Sequence, residues 1–216
     1  LKPQGTDGVR ANVYQDNELK TEVNLDGSIH LTDRLSTATL LHFENRQMDH
    51  DGNDDGFMDM PKLRQYNIMH RWAYVSPRWI SQLMVRALHD ERKGGQSLKH
   101  TNTDSAELPY STSVKTNRYE MQWKNGFTLN SDHNTSVALM MHGSWHDADN
   151  IFGMTRYDVT QKNGYAQLMF ETDINEHNNI SVGASLNHDY YDERFNPLGA
   201  TPDAGSKATK ETTPGL

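Results

Sequence analysis

Apolar and polar residues alternate along most of this chain with a period of two, the period of strands that turn one face to an apolar environment. In "TEVNLDGSIHL", Val23, Leu25, Gly27, Ile29 and Leu31 fall on one face and Glu22, Asn24, Asp26, Ser28 and His30 on the other. "NRYEMQWKNGFTL" sets Tyr119, Met121, Trp123, Phe127 and Leu129 against Arg118, Glu120, Gln122 and Lys124. "SVALMMHGSWH" gives Val137, Leu139, Met141, Gly143 and Trp145. "YAQLMFETDI" gives Ala166, Leu168, Phe170, Thr172 and Ile174 against Gln167 and Glu171. "ISVGASLNHDYY" gives Ile180, Val182, Ala184, Leu186 and Tyr190 against Ser181, Ser185, Asn187 and Asp189. Three segments follow the rule less cleanly. They contribute Thr39, Leu41 and Phe43; Tyr66, Ile68, Trp72 and Tyr74, with His70 as a polar intruder; and Trp79, Leu83, Val85 and Ala87, with Gln82 and Arg86 opposite. The pattern predicts about eight long antiparallel strands and an all-β chain, since no segment carries the helical period.

The connections add direction. Short ones near 32–35, 75–78, 130–135 and 175–178 hold the Pro, Asn, Asp or Ser residues that suit tight turns. Longer polar ones cover 48–61, roughly 90–113 and roughly 147–156, with a polar tail from 192. Strict alternation of short and long puts all the tight turns of an up-and-down meander at one end and all the loops at the other. That is the layout of an outer-membrane β-barrel wall. One face would then meet lipid and the other a wet lumen. Trp72, Tyr74 and Trp79 flank the "VSPR" turn, where an interfacial aromatic girdle belongs.

Composition agrees with a thin, economical fold. Only 34% of the 216 residues are apolar, yet the chain carries 4 Trp, 9 Tyr, 6 Phe and 10 Met, too many for a disordered segment. A net charge of −8 argues against nucleic acid as a partner. There are no cysteines, hence no disulfide framework. No apolar run reaches the ~18–20 residues of a membrane-spanning helix, a test that does not see β-barrels.

Four stretches carry a family likeness. They are "DGNDDGFMDMPKLRQYNIMHRWAYVSPRWISQLMVRALHDERKGGQ", "TNRYEMQWKNGFTL", "NTSVALMMHGSWHD" and "YAQLMFETDINEHNNISVGASLNHDYYDERF". Over roughly 20–195 the chain resembles the barrel of TonB-dependent outer-membrane receptors, nearest to the vitamin and siderophore type, cobalamin transporters included. The resemblance implies residence in the outer membrane of a Gram-negative bacterium. It implies lipid around the wall, TonB-energised uptake of a scarce large nutrient, and surface lipoproteins as possible partners. The family has about 22 strands, an N-terminal plug that meets the TonB complex, and an aromatic-terminated last strand. None of these features is visible here. Residues 1–216 are therefore expected to be a partial barrel without its plug, beginning and ending in loops. Arg86, Glu120, Gln122, Lys124 and Glu171, opposite the apolar stripes, are the expected lumen-lining residues.

One loop stands out chemically. "MDHDGNDDGFMDM" resembles the start of an EF-hand calcium loop, whose oxygens come from positions 1, 3, 5, 7, 9 and 12 with Gly at 6. Counting from Asp51, the ligands would be Asp51, Asn53, Asp55, the Phe57 carbonyl and Asp59, with Gly56 at the turn. Position 12 is Lys62, where a bidentate Glu belongs, so Asp49, another loop or water would have to complete the shell. In the resembling receptors, acidic extracellular loops can bind calcium and order the ligand-binding surface. Elsewhere the candidate chemistry is thin. His142 and His146 share a face but stand about 13 Å apart in a strand, too far to grip one ion. "KGGQ" lacks the Lys-Ser/Thr and helix of a phosphate loop, and no nucleophile elbow or zinc helix is present, so no enzyme is expected. Two other readings predict the same pattern: a soluble calcium-binding β-sheet recognition module, and a complete small barrel of about eight strands.

Overall fold

The computed structural model describes residues 7–97, 109–132, 134–197 and 205–216. They form one antiparallel sheet in which strand order in space equals order in sequence. The strands are β1 (Gly8–Gln15), β2 (Thr21–His30), β3 (Leu35–Arg46), β4 (Lys62–Val75), β5 (Trp79–Gly95), β6 (Ser111–Asn130), β7 (Thr135–Phe152), β8 (Thr155–Asn175), β9 (Asn178–Pro197) and β10 (Lys207–Gly215). The all-β up-and-down meander is the architecture that the alternation predicts.

Several boundaries differ from that prediction. There are ten strands rather than eight, because both terminal segments read as loops supply edge strands, β1 and β10. The polar stretch at 147–156 is no long loop. It is the continuation of β7 and β8 around a tight turn at 153–154, so short and long connections do not strictly alternate. The stretch at 90–113 also shrinks from both sides, with β5 running to Gly95 and β6 starting at Ser111; residues 98–108 within it lie outside the described set. A small closed barrel does not form: among the described residues β1 pairs with β2 alone and β10 with β9 alone.

The register is staggered in one direction. Cross-strand partners run in a single row through Leu25, Leu41, Ile68, Ala87, Tyr119, Trp145, Lys162 and Tyr190. Leu25 stands five residues before the end of β2 at His30, whereas Tyr190 stands twelve beyond the start of β9 at Asn178. From β2 to β9 the strands therefore slip by about one residue per neighbour. A rise of ~3.3 Å against a lateral spacing of ~4.8 Å corresponds to a strand tilt of about 35°, in the range of strands in barrels.

The sheet has almost no interior. Among the described residues the buried apolar side chains are Leu63, Ala73 and Ala148, two of the three only alanine.

Candidate functional site

One face is apolar and, among the described residues, nothing covers it. Tyr119 is 54% exposed, Trp145 51%, Leu168 53% and Val182 62%, values that would be near zero in a sandwich core. On β6 the apolar face runs from Tyr119 to Leu129, about 33 Å along the strand and about 27 Å once tilted, close to the ~25 Å apolar band of barrel exteriors. Its border beside the tight turns is aromatic. The Tyr74 and Trp79 rings lie 4.7 Å apart, and Trp79 stacks on Phe127 at 5.8 Å. The opposite border carries the Phe43–Tyr66 and Tyr119–Trp145 ring pairs, at 5.2 and 6.4 Å.

Several polar groups inside this band find partners within the protein, as a dry environment favours; the buried amide nitrogen of Asn125 is an exception. His70 interrupts the alternation of β4, but its Nε2 meets Thr37 Oγ1 at 2.8 Å and its Nδ1 meets Thr39 Oγ1 at 2.7 Å. Trp123 Nε1 donates to Ser81 Oγ at 3.1 Å and Trp79 Nε1 to the buried Asn125 Oδ1 at 3.3 Å.

The other face is a hydrogen-bonded polar surface, and all five expected lumen residues lie on it. Arg86 and Glu120 are register partners joined at 3.3 Å. Arg86 also donates to Asn67 Oδ1 at 3.2 Å, and Arg118 joins Glu120 at 2.6 Å. Gln122 and Lys124 follow on β6, opposite Met84 and Gln82. Glu171 is on the same face but apart, on β8 between Ser136 and Ser181. Sequence reasoning missed a second polar group. Asn163 Nδ2 donates to both Asn187 Oδ1 and Asp189 Oδ1 at 2.8 Å, and His142 Nδ1 meets Asn163 Oδ1 at 3.3 Å. The available signal was the polar parity of Asn187 and Asp189, which could not be matched to β8 without the register.

Beyond the band, β5 to β9 continue with mostly polar residues and without the regular alternation. Here Lys93 pairs with Glu91 at 2.6 Å and holds its carboxyl below the usual range, through a hydrogen bond first and charge second. Tyr157 donates to Glu193 Oε1 at 2.7 Å, and that bond raises the phenol above its ordinary value.

The acidic loop lies at this end. Its oxygens are turned to its own amides: Asp51 accepts from Gly56 N at 3.0 Å, Asp55 from Phe57 N at 2.8 Å, Asn53 from Asp55 N at 3.2 Å and Asp59 from Gly52 N at 2.8 Å. Gly56 takes the positive φ of 85° that the expected turn needs. The loop is also clipped to the end of β5: Met58 N donates to Gly95 O and Ser97 N to Gly56 O, each at 2.8 Å. Among the described residues no three His, Cys, Asp or Glu side chains gather into one cluster. The loop thus closes on its own hydrogen bonds, and no step below is drawn through calcium.

No family model, curated protein or solved structure matches the chain.

Proposed function

We propose that this chain is part of the wall of a transmembrane β-barrel in a bacterial outer membrane, with its apolar face to lipid and its polar face to an aqueous lumen. The observation that carries this reading is the uncovered apolar band, of bilayer height, bordered by aromatic rings and crossed by strands staggered in one direction. A water-exposed surface of this size would drive association, and lipid relieves that cost. The internally paired His70 and the indole N–H bonds support the same reading.

Within this reading the resemblance to TonB-dependent receptors supports uptake of a scarce, large nutrient, energised through a plug belonging to the same transporter. The chain's own contribution is selective binding and passage without covalent chemistry. Arg86, Glu120, Gln122 and Lys124 would present ordered donors and acceptors along the polar face, with the Asn163–Asn187–Asp189 group beside them.

The absence of cysteine in the chain makes a clean test possible. Single cysteines at Leu168 and Val182 should react with a membrane-soluble maleimide and resist a charged one after reconstitution into vesicles. A cysteine at Asn163 should show the reverse preference. Equal reaction of all three with the charged reagent, in a chain that stays dispersed without detergent, would replace the wall with the soluble recognition module.

A further inference from the structure

We infer that the outer border of the apolar face, at Lys162 and Lys210 around Tyr190, binds the phosphate of a lipid headgroup. The inference rests on the membrane-wall reading. Lys162, Tyr190 and Lys210 are consecutive members of one cross-strand row over β8, β9 and β10, and Trp145 on β7 precedes them. Lys162 Nζ sits 5.2 Å from the Trp145 ring centre and 5.7 Å from that of Tyr190, while Lys210 Nζ approaches Tyr190 at the same 5.7 Å. Both ammonium groups therefore flank one ring and can be no further apart than twice that distance.

Two features turn this from a decorated border into a site. First, among the described residues neither lysine has a carboxylate partner, although carboxylates are close. Asp147 and Asp192 occupy the next row outward, but Asp147 accepts from Thr160 Oγ1 at 2.7 Å and Asp192 faces Arg194 at 3.6 Å. Two cations of one sign on a lipid-facing surface call for an anion from the membrane. Second, the position is right. On β8 the apolar residues run from Ile174 to Ala166, so Lys162 falls just past the band, where long basic side chains reach the headgroup layer. Below Trp145 and Lys162, Gly143 faces Gly164, and a side chain at either would meet nothing within 4 Å. That low ground leaves room for an acyl chain to lie beneath its phosphate. Lysine suits this role as a compact charge that the aromatic rings hold in place.

The probe is phosphatidic acid, whose phosphate monoester is the simplest such headgroup, dilute in phosphatidylcholine vesicles. After release of the reconstituted chain into detergent, native mass spectrometry counts the lipids retained. Two lysines near a membrane surface should favour phosphatidic acid over phosphatidylcholine by about thirtyfold. The K162Q/K210Q variant should lose this preference while inserting normally, and K162R/K210R should keep it. Millimolar inorganic phosphate should not displace the lipid. Retention unchanged in K162Q/K210Q, or displacement by free phosphate, overturns the lipid site and leaves the wall intact. Failure of the unaltered chain to insert at all overturns the wall, and the lipid site with it.

Discussion

The lower and upper halves of the long strands share one backbone ladder but obey different side-chain rules. In β7 and β8, pairing is continuous from Ser136↔Glu171 to Phe152↔Thr155. Near the tight turns the faces differ: Val137, Leu139 and Met141 stand on one, Ser136, Ala138 and His142 on the other. Towards the far end the apolar face gives way to Asp147 and Asp149, and the regular alternation ends, with Ile151 and Phe152 apolar beside the turn. Hydrogen bonding alone thus sustains a strand where water is on both faces, while alternation marks only the part that must present an apolar surface. The alternating zone reports the environment, not the extent of the sheet.

The sharpest way to break this comparison is to place the same change in both zones. Leu168→Arg lies in the band on β8, and Ile151→Arg lies on the same face beyond it on β7. In vesicles, urea unfolding should show Leu168→Arg destabilised by about 2–4 kcal/mol, the cost of a cation at mid-bilayer depth. Ile151→Arg should stay within about 0.5 kcal/mol, as for other surface changes. Equal costs would mean that the two zones share one solvent.

This contrast also explains what the sequence made legible. Where one face is apolar, as at Tyr119–Leu129 or Ile180–Leu186, the period of two is unmistakable, and it fixes which residues share a face. Arg86, Glu120, Gln122, Lys124 and Glu171 share the face opposite the apolar stripe for that reason. Where both faces are polar the period vanishes, so the outer parts of β7 and β8 read as a loop. The edge strands were missed for related causes. β10, "KATKETTPG", has hardly an apolar side chain and is held by its ladder to β9, while β1 alternates only through Val9, Ala11 and Val13. Partners across strands, such as Asn163 with Asp189 or His70 with Thr37, depend on register, which turn lengths set and side-chain pattern alone does not. In the acidic loop, spacing suggested ligands for an ion, and in the fold one oxygen of each of Asp51, Asn53, Asp55 and Asp59 serves a nearby amide.

A smaller effect is expected where the outer zone is pinned. Gly95 has φ of +117°, and a Cβ there would lie 2.3 Å from Tyr110 O. Its own carbonyl holds Met58. Gly95→Ala should therefore cost about 1–3 kcal/mol locally, seen as faster amide exchange at Met58 and Ser97 and easier proteolysis within 47–61. Exchange in the band should not change. Chelation of calcium should leave the same amides protected in the unaltered protein, because the loop closes on its own hydrogen bonds. Loss of protection on chelation would restore the calcium loop suggested by the spacing of Asp51, Asn53 and Asp55.

The smallest effect concerns a single bond above the band. Tyr157 donates to Glu193, which raises its folded-state pKa, so the bond's contribution is complete below the unfolded value and disappears as pH rises through the folded one. With an unfolded tyrosine at about 10, the window lies on the alkaline side, away from neutral pH. Tyr157→Phe should cost about 1 kcal/mol at neutral pH, the ordinary net worth of one hydrogen bond. The gap between variant and parent should hold steady until pH exceeds that unfolded value, then close, because deprotonated Tyr157 has nothing left to donate and a second negative charge beside Glu193. A gap that widens with alkalinity would mean that Tyr157 is held by something other than its proton.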